Sequence, residues 1–126
     1  MAKRILVVED SVLISSALRI LLEANDYDVT IAGTAAEALD AASTIVPDVM
    51  LLDLTLPDGD GLSVLADLSA QGVTLPVTLA MTGHDDDITR HRCIAAGCAE
   101  VLVKPVPVRE LLQIIFLLLI VFDHSD

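Results

Sequence analysis

The sequence predicts an α/β domain in which a five-stranded parallel sheet is wound with helices on both faces. Short apolar runs rich in β-branched residues alternate five times with longer stretches of helical pattern, as parallel sheets require. The first, third and fourth runs are continuously apolar rather than alternating, which fits strands covered on both sides and places those three in the middle. The chain has 126 residues, the size of one domain, and is 54% hydrophobic but only 2% aromatic, so its core is built of Val, Leu, Ile and Ala and disorder is excluded.

The first strand is Ile5–Val8. A helix follows over Ser11–Ala24, with Ile14, Leu18, Leu21 and Leu22 at helical spacing. The second strand is Val29–Ile31, and Thr34 with Glu37 three residues later forms a capping box that opens the second helix. The third strand, Val49–Leu52, leads to a glycine turn and a helix over Leu62–Leu68. The segment Asp58-Gly59-Asp60-Gly61, with Asp67 beyond it, partly mimics a calcium loop. Setting Gly61 at the sharp turn puts Leu56 at the first ligand position, however, so the segment reads as a turn whose glycines permit positive φ. The fourth strand is Val77–Ala80, and the fourth helix runs over Asp85–Ala96 to a cap at Gly97, with Asp85-Asp86-Asp87 complementing its dipole. The fifth strand is Val101–Val103, and the last helix begins near Pro107.

Seven Lys and Arg, scattered along the chain, stand against nineteen Asp and Glu for a formal charge of −12, which argues against nucleic acid as a direct ligand. Cys93 and Cys98 fit no disulfide framework or metal pattern and read as reduced thiols of a cytoplasmic protein. His84, His91 and His124 lack metal-ligand spacing. The basic start, Met1-Ala2-Lys3-Arg4, precedes an apolar run too short for a secretion signal. Leu111 to Phe122 is intensely apolar but spans twelve residues where a membrane crossing needs about 20, so no membrane insertion is expected. From Ile114 to Phe122 that helix is apolar on every face, which points to a homodimer through the fifth helix, to a partner, or to a following segment of a longer protein.

In an open α/β sheet, ligands bind beyond the carboxyl ends of the strands. Here those ends carry Glu9-Asp10, Asp53, Thr82 and Lys104-Pro105. With the first and third strands adjacent, three carboxylates converge and repel one another unless a cation intervenes; an all-oxygen donor set suits Mg²⁺, which binds one or two carboxylates together with a substrate phosphate. Lys104 offers a compact positive charge for a phosphoryl oxygen, Thr82 a hydroxyl donor, and Asp53 a carboxylate nucleophile.

Four separated segments complete the pattern: Val7-Val8-Glu9-Asp10, Leu51-Leu52-Asp53-Leu54-Thr55-Leu56-Pro57-Asp58-Gly59-Asp60-Gly61, Met81-Thr82-Gly83 and Val103-Lys104-Pro105. In this order and spacing they resemble the receiver domain of two-component response regulators, as in the single-domain chemotaxis receiver, over essentially the whole chain. The resemblance implies a flavodoxin-like (βα)5 fold with strand order 2-1-3-4-5. It implies one receiver domain over residues 1–126 with no output domain after it, in a cytoplasmic bacterial protein. Asp53 would accept a phosphoryl group from a phosphohistidine on a sensor histidine kinase or phosphotransfer protein, or from acetyl phosphate. Glu9, Asp10, Asp53 and the Thr55 backbone carbonyl would hold Mg²⁺. Thr82 and Lys104 would meet the phosphoryl oxygens and bias the fourth helix, fifth strand and fifth helix toward a downstream protein target. A cis Lys104-Pro105 bond is expected on the same ground.

Receivers commonly carry Tyr or Phe three positions before the lysine, whereas here Val101 stands there, so the switch formed with Thr82 and Gly83 lacks its ring. Thr55 and His84 occupy the two positions that tune phosphoaspartate hydrolysis in the family. The chain would then be a phosphoacceptor with self-phosphorylation and autodephosphorylation only, not an enzyme with turnover. Two alternatives stand beside this reading. One is a receiver-like interaction module that works without phosphate. The other is a haloacid-dehalogenase-like phosphatase, whose motif needs a second Asp where Thr55 stands.

Overall fold

The computed structural model describes residues 2–122, so His124 lies outside the described residues. Strand β1 is Arg4–Val8, β2 is Asp28–Ala32 and β3 is Val49–Asp53; β4 (Thr55–Leu56) and β5 (Gly59–Asp60) are two-residue strands; β6 is Val77–Thr82 and β7 is Glu100–Val103. The helices are α1 (Val12–Glu23), α2 (Ala35–Ile45), α3 (Leu62–Ala70), α4 (Asp87–Ala96) and α5 (Val108–Val121). The main sheet runs β2-β1-β3-β6-β7 with every neighbour parallel. Counting its five strands alone, this is the expected 2-1-3-4-5 order.

Alternate side chains of each strand face opposite layers. Leu6, Val8, Met50, Leu52 and Ala80 pack with Ala38, Ala42, Leu65, Leu68 and Cys93 of α2, α3 and α4. Ile5, Val7, Leu51, Leu79 and Met81 pack with Leu22, Leu111 and Ile115 of α1 and α5. Two aliphatic layers thus clamp the three central strands.

Most helix boundaries follow from local chemistry. Ser11 caps α1, its hydroxyl accepting from Ile14 N at 3.3 Å. Thr34 accepts from Glu37 N at 3.1 Å, and Glu37 Oε1 reaches back to accept from Gly33 N at 2.9 Å, one residue before the N-cap whose N–H a strict capping box would use. Asp86 caps α4 by accepting from Thr89 N at 2.7 Å. Helix α4 closes in a Schellman arrangement, with Cys98 N bonded to Cys93 O at 3.0 Å, Gly97 N to Ile94 O at 3.1 Å, and Gly97 at φ 106°. Both cysteines are buried free thiols, packed against each other where that motif places its apolar contact. The other end of α2 is unexpected: Val46, a β-branched residue, occupies the left-handed cap at φ 49°.

The segment between β3 and α3 corrects the sequence reading. It is an antiparallel hairpin, β4 with β5, rather than a simple turn. Gly59 does take positive φ, at 144°, but Gly61 sits at φ −55°, open to any residue. Gly61 is required for space instead: a Cβ there would stand 2.2 Å from the Asp53 carbonyl oxygen.

Helix α5 buries Leu111 and Ile115 and leaves Phe116 59% and Ile120 58% exposed, so the apolar outer face expected from the sequence is bare in the single chain. Among the described residues, no helix is long and apolar enough to cross a membrane.

Candidate functional site

Strand register brings the site together. Val8 pairs with Leu52, so Glu9, one residue beyond β1, comes beside Asp53 at the end of β3. Asp53 pairs with Met81, which puts Thr82 one step past it, and Thr82 pairs with Val103, which puts Lys104 one step past β7. Ladder-like bonds continue beyond the strands and hold these ends: Glu9 N donates to Ala32 O at 2.9 Å, Leu54 N to Met81 O at 3.1 Å and Lys104 N to Thr82 O at 2.7 Å. The Lys104-Pro105 peptide is cis, as expected.

Glu9 and Asp53 are buried, at 3% and 4% exposure, while Asp10 is exposed. One carboxylate oxygen from each of the three lies within 4.8 Å of the others. The Lys104 ammonium lies against the buried pair, donating to Asp53 Oδ2 at 2.9 Å and reaching Glu9 Oε1 at 3.4 Å. Burial alone pulls the Lys104 pKa down, but the hydrogen bond and charge of Asp53, followed by those of Glu9, outweigh it and hold the ammonium above its ordinary value. Burial pushes Glu9 up, assisted by the Asp53 charge and by Asp10, against the lowering effects of the Ser11 N–H and of Lys104. Negative charge therefore exceeds what one lysine compensates. An all-oxygen carboxylate set with excess negative charge fits a hard divalent cation, and one exposed member leaves room for its waters.

An open cavity of about 480 Å³ stands over this cluster, lined by Glu9, Asp10, Asp53 and Lys104, and also by Thr55, Gly83 and His84. Thr55 N donates to Asp53 Oδ1 at 3.0 Å, so both Asp53 oxygens are oriented, one by a backbone amide and one by an ammonium. Thr82 is buried, and its Oγ1 accepts from His84 N at 3.0 Å, which leaves its hydroxyl proton free to be donated. Val101 is not part of this rim; it is buried in the layer beneath α4 with Ala80 and Cys93. His91 lies exposed on α4, away from the cluster.

Ser11, Gly61, Asp58 and Asp60 have roles in the structure that the sequence did not show. Ser11 N donates to Glu9 Oε2 at 3.1 Å, tying the start of α1 to the acidic cluster. Gly61 packs directly on the Asp53 backbone. Asp58 reaches back to α2, accepting from Ala35 N at 2.8 Å and Ala36 N at 3.1 Å. A carboxylate on two free amides of a helix start is electrostatically favourable, and those bonds hold the Asp58 pKa below the usual carboxylate value. Asp60 accepts from Leu62 N at 3.0 Å and pairs with Arg92 of α4.

A five-stranded doubly wound sheet with three carboxylates, a hydroxyl and a lysine at its carboxyl end defines an α/β domain of the receiver type. Comparison with known proteins agrees: the profile of the response regulator receiver domain matches residues 5–116, and the chain belongs to that family. The response regulator MprA of Mycobacterium tuberculosis is 38% identical over 112 residues, covering 89% of this chain and 48% of that protein. The chain thus spans about half the length of the curated relatives it matches. Among solved structures, a CheY-like receiver domain protein from Methanospirillum hungatei superposes with a TM-score of 0.83 at 30% identity, covering 92% of both chains. The non-phosphorylated HemR receiver domain from Leptospira biflexa does so with a TM-score of 0.83 at 32% identity, covering 92% of this chain and 93% of that one. This membership favours the receiver over the phosphatase reading of the aspartate.

Proposed function

We propose that the chain is a phosphorylation-controlled switch in which Asp53 takes a phosphoryl group from a phosphohistidine of a sensor histidine kinase or phosphotransfer protein. The observation that carries this reading is Lys104 Nζ at 2.9 Å from Asp53 Oδ2 within a cluster of three carboxylates. A carboxylate oxygen of Asp53 bonds to phosphorus as the phosphorus–nitrogen bond breaks, and the imidazole leaves with that bond's electron pair. Glu9, Asp10, Asp53 and the Thr55 carbonyl would hold Mg²⁺, which when bound supplies positive charge to the phosphoryl oxygens. Lys104 releases Asp53 and pairs with a phosphoryl oxygen, and the Thr55 amide keeps the acceptor carboxyl oriented. Hydrolysis reverses the state: water attacks phosphorus and the Asp53 carboxylate leaves, with Thr55 and His84 bordering the water's approach.

Thr82 supplies the readout. Donation of its hydroxyl proton to a phosphoryl oxygen turns Oγ1 away from His84 N, which loosens the loop that leads to the Asp86 cap of α4. With Val101 in place of a ring, this loop and the Asp60–Arg92 pair carry the change to the α4, β7 and α5 surface, where a downstream protein binds. The domain works in the bacterial cytoplasm as a stoichiometric acceptor with no turnover of its own.

Acetyl phosphate with Mg²⁺ should add the mass of one phosphoryl group to the wild type and nothing to Asp53→Asn, read by intact mass spectrometry. Beryllofluoride, a stable stand-in for the phosphoryl group, should bind the wild type only. A wild type that takes neither overturns the proposal in favour of a module that binds partners without phosphate.

A further inference from the structure

The chain has two cysteines, and the fold sets their thiols against each other. Cys93 lies in the last turn of α4 and Cys98 follows Gly97, and the Schellman closure draws the two together through the bond from Cys98 N to Cys93 O. That closure asks only for an apolar contact at these positions, which any pair of aliphatic side chains would supply. In a chain built of Val, Leu, Ile and Ala, both positions carry sulfur instead. An open pocket of about 360 Å³ reaches one of them: Leu75, Pro76, Val77, Gly97 and Ala99 line it, and Cys98, at 8% exposure, forms part of its wall, while Cys93 is fully buried. The pocket lies before the start of β7, at the opposite end of that strand from Lys104.

We propose that Cys93 and Cys98 form a redox site, oxidised by a low-molecular-weight disulfide to an intramolecular disulfide that clamps the last turn of α4 onto the approach to β7. Two exchanges complete the reaction. Cys98 loses its proton and its sulfur attacks one sulfur of the small disulfide entering from the pocket; the small S–S bond breaks, and one half leaves with the electron pair and takes up that proton. Cys93 then loses its proton and attacks the Cys98 sulfur of the mixed disulfide, and the second half leaves in the same way. The two protein thiols are oxidised and the small disulfide is reduced to two thiols. Burial shields both thiols, so the first exchange takes hours, while the second is intramolecular between groups already in contact. The ring that closes spans six residues, from Cys93 to Cys98, and adds a covalent tie beside the bonds from Gly97 N and Cys98 N that end α4. Asp53 takes no part in this chemistry, so the site stands or falls independently of the phosphoacceptor reading.

The test incubates dilute native protein with 2-hydroxyethyl disulfide, small and uncharged, and follows intact mass over hours. The wild type should become lighter by two hydrogens as a monomer and return to its starting mass with dithiothreitol. Cys93→Ala should stop at the mixed disulfide, gaining one half of the probe on Cys98, and Cys98→Ala should gain nothing, because the remaining thiol is not on the pocket wall. A cooperative melt shows that each variant is folded, and the wild-type result decides the proposal even where one is not. In the oxidised wild type, hydrogen exchange of the Gly97 and Cys98 amides should slow by about tenfold or more, as expected for closing so short a loop. A native wild type that keeps both thiols while the same chain oxidises in guanidinium overturns the proposal. So does a wild type that stops at the mixed disulfide or links to a second copy. Unchanged exchange at Gly97 and Cys98 in the oxidised protein overturns the clamp.

Discussion

Gly61→Ala isolates one physical cause. At φ −55° and ψ −32° the backbone accepts alanine without strain, so any effect comes from the added methyl group. That carbon would stand 2.2 Å from the Asp53 carbonyl oxygen and 3.1 Å from both the Asp53 carbonyl carbon and Leu54 Cα. About 1 Å must open to restore ordinary contact distances. The atoms in the way are main chain, at the end of a fully buried central strand, and cannot rotate aside. Overpacking of this kind costs about 1–3 kcal/mol. At roughly 4 °C per kcal/mol for a domain of this size, Tm should fall by about 4–12 °C. Displacing a reacting group by about 1 Å costs on the order of 100-fold in rate, so labelling by acetyl phosphate should slow to that degree. Gly83→Ala is the control, because a Cβ there meets nothing within 4 Å, and its stability should stay within about 0.5 kcal/mol of wild type. Differential scanning calorimetry and intact mass give both readings. A Gly61→Ala protein with wild-type Tm and labelling rate would refute the steric account of this position.

Lys104→Met should lower the acetyl phosphate labelling rate by about 100-fold or more, because the transferring group loses its positioned cation; a rate within threefold of wild type would contradict the role given to Lys104. Asp58→Ala should flatten the acid limb of stability. The Asp58 carboxyl lies below its ordinary value of 3.8 because of the Ala35 and Ala36 amides, so its contribution is present above that value and is lost as pH falls through the lower folded value. Urea titrations at a series of pH values should show the wild type losing stability faster than the variant in that acid window, and parallel curves would count against the cap. Burial pushes the Cys98 thiol up to about 12 and raises that of Cys93 as well, so iodoacetamide at pH 8 should leave the native protein unmodified and alkylate both thiols in guanidinium. Rapid native alkylation would show the α4 terminus to be open.

The five main strands, the capped start of α2 and the Gly97 stop were legible because each rests on side-chain burial or on a local hydrogen bond within a few residues. Glu9, Asp10, Asp53, Thr82 and Lys104 were legible because strand ends in a parallel sheet share one rim, and the register brings them there. What was not legible depends on approaches between distant backbones. The cap from Asp58 spans 23 residues and leaves no periodic trace. The β4–β5 hairpin is two residues per strand, too short for alternation to register. Gly61 looked like a residue chosen for a rare dihedral angle and proves to be one chosen for the absence of a side chain. Val46 defies the preference for Gly or Asn at a left-handed cap, so propensity alone misplaces the end of α2.

The loop that follows Asp53 is fastened at several points: by Asp58 on two amides of α2, by Gly61 against the Asp53 carbonyl, and by Asp60 at the start of α3. Across the rim, the stretch from Gly83 to Asp86 is tied to β6 through the Thr82 oxygen and to α4 through the Asp85–Arg90 pair and the Asp86 cap. The acceptor side behaves as an anvil and the threonine side as the hammer. Under the proposed phosphorylation, the Thr82 side, bonded onward to α4, is the side that moves, and substitutions that slacken the anvil should blunt that signal without touching any residue that would meet phosphorus.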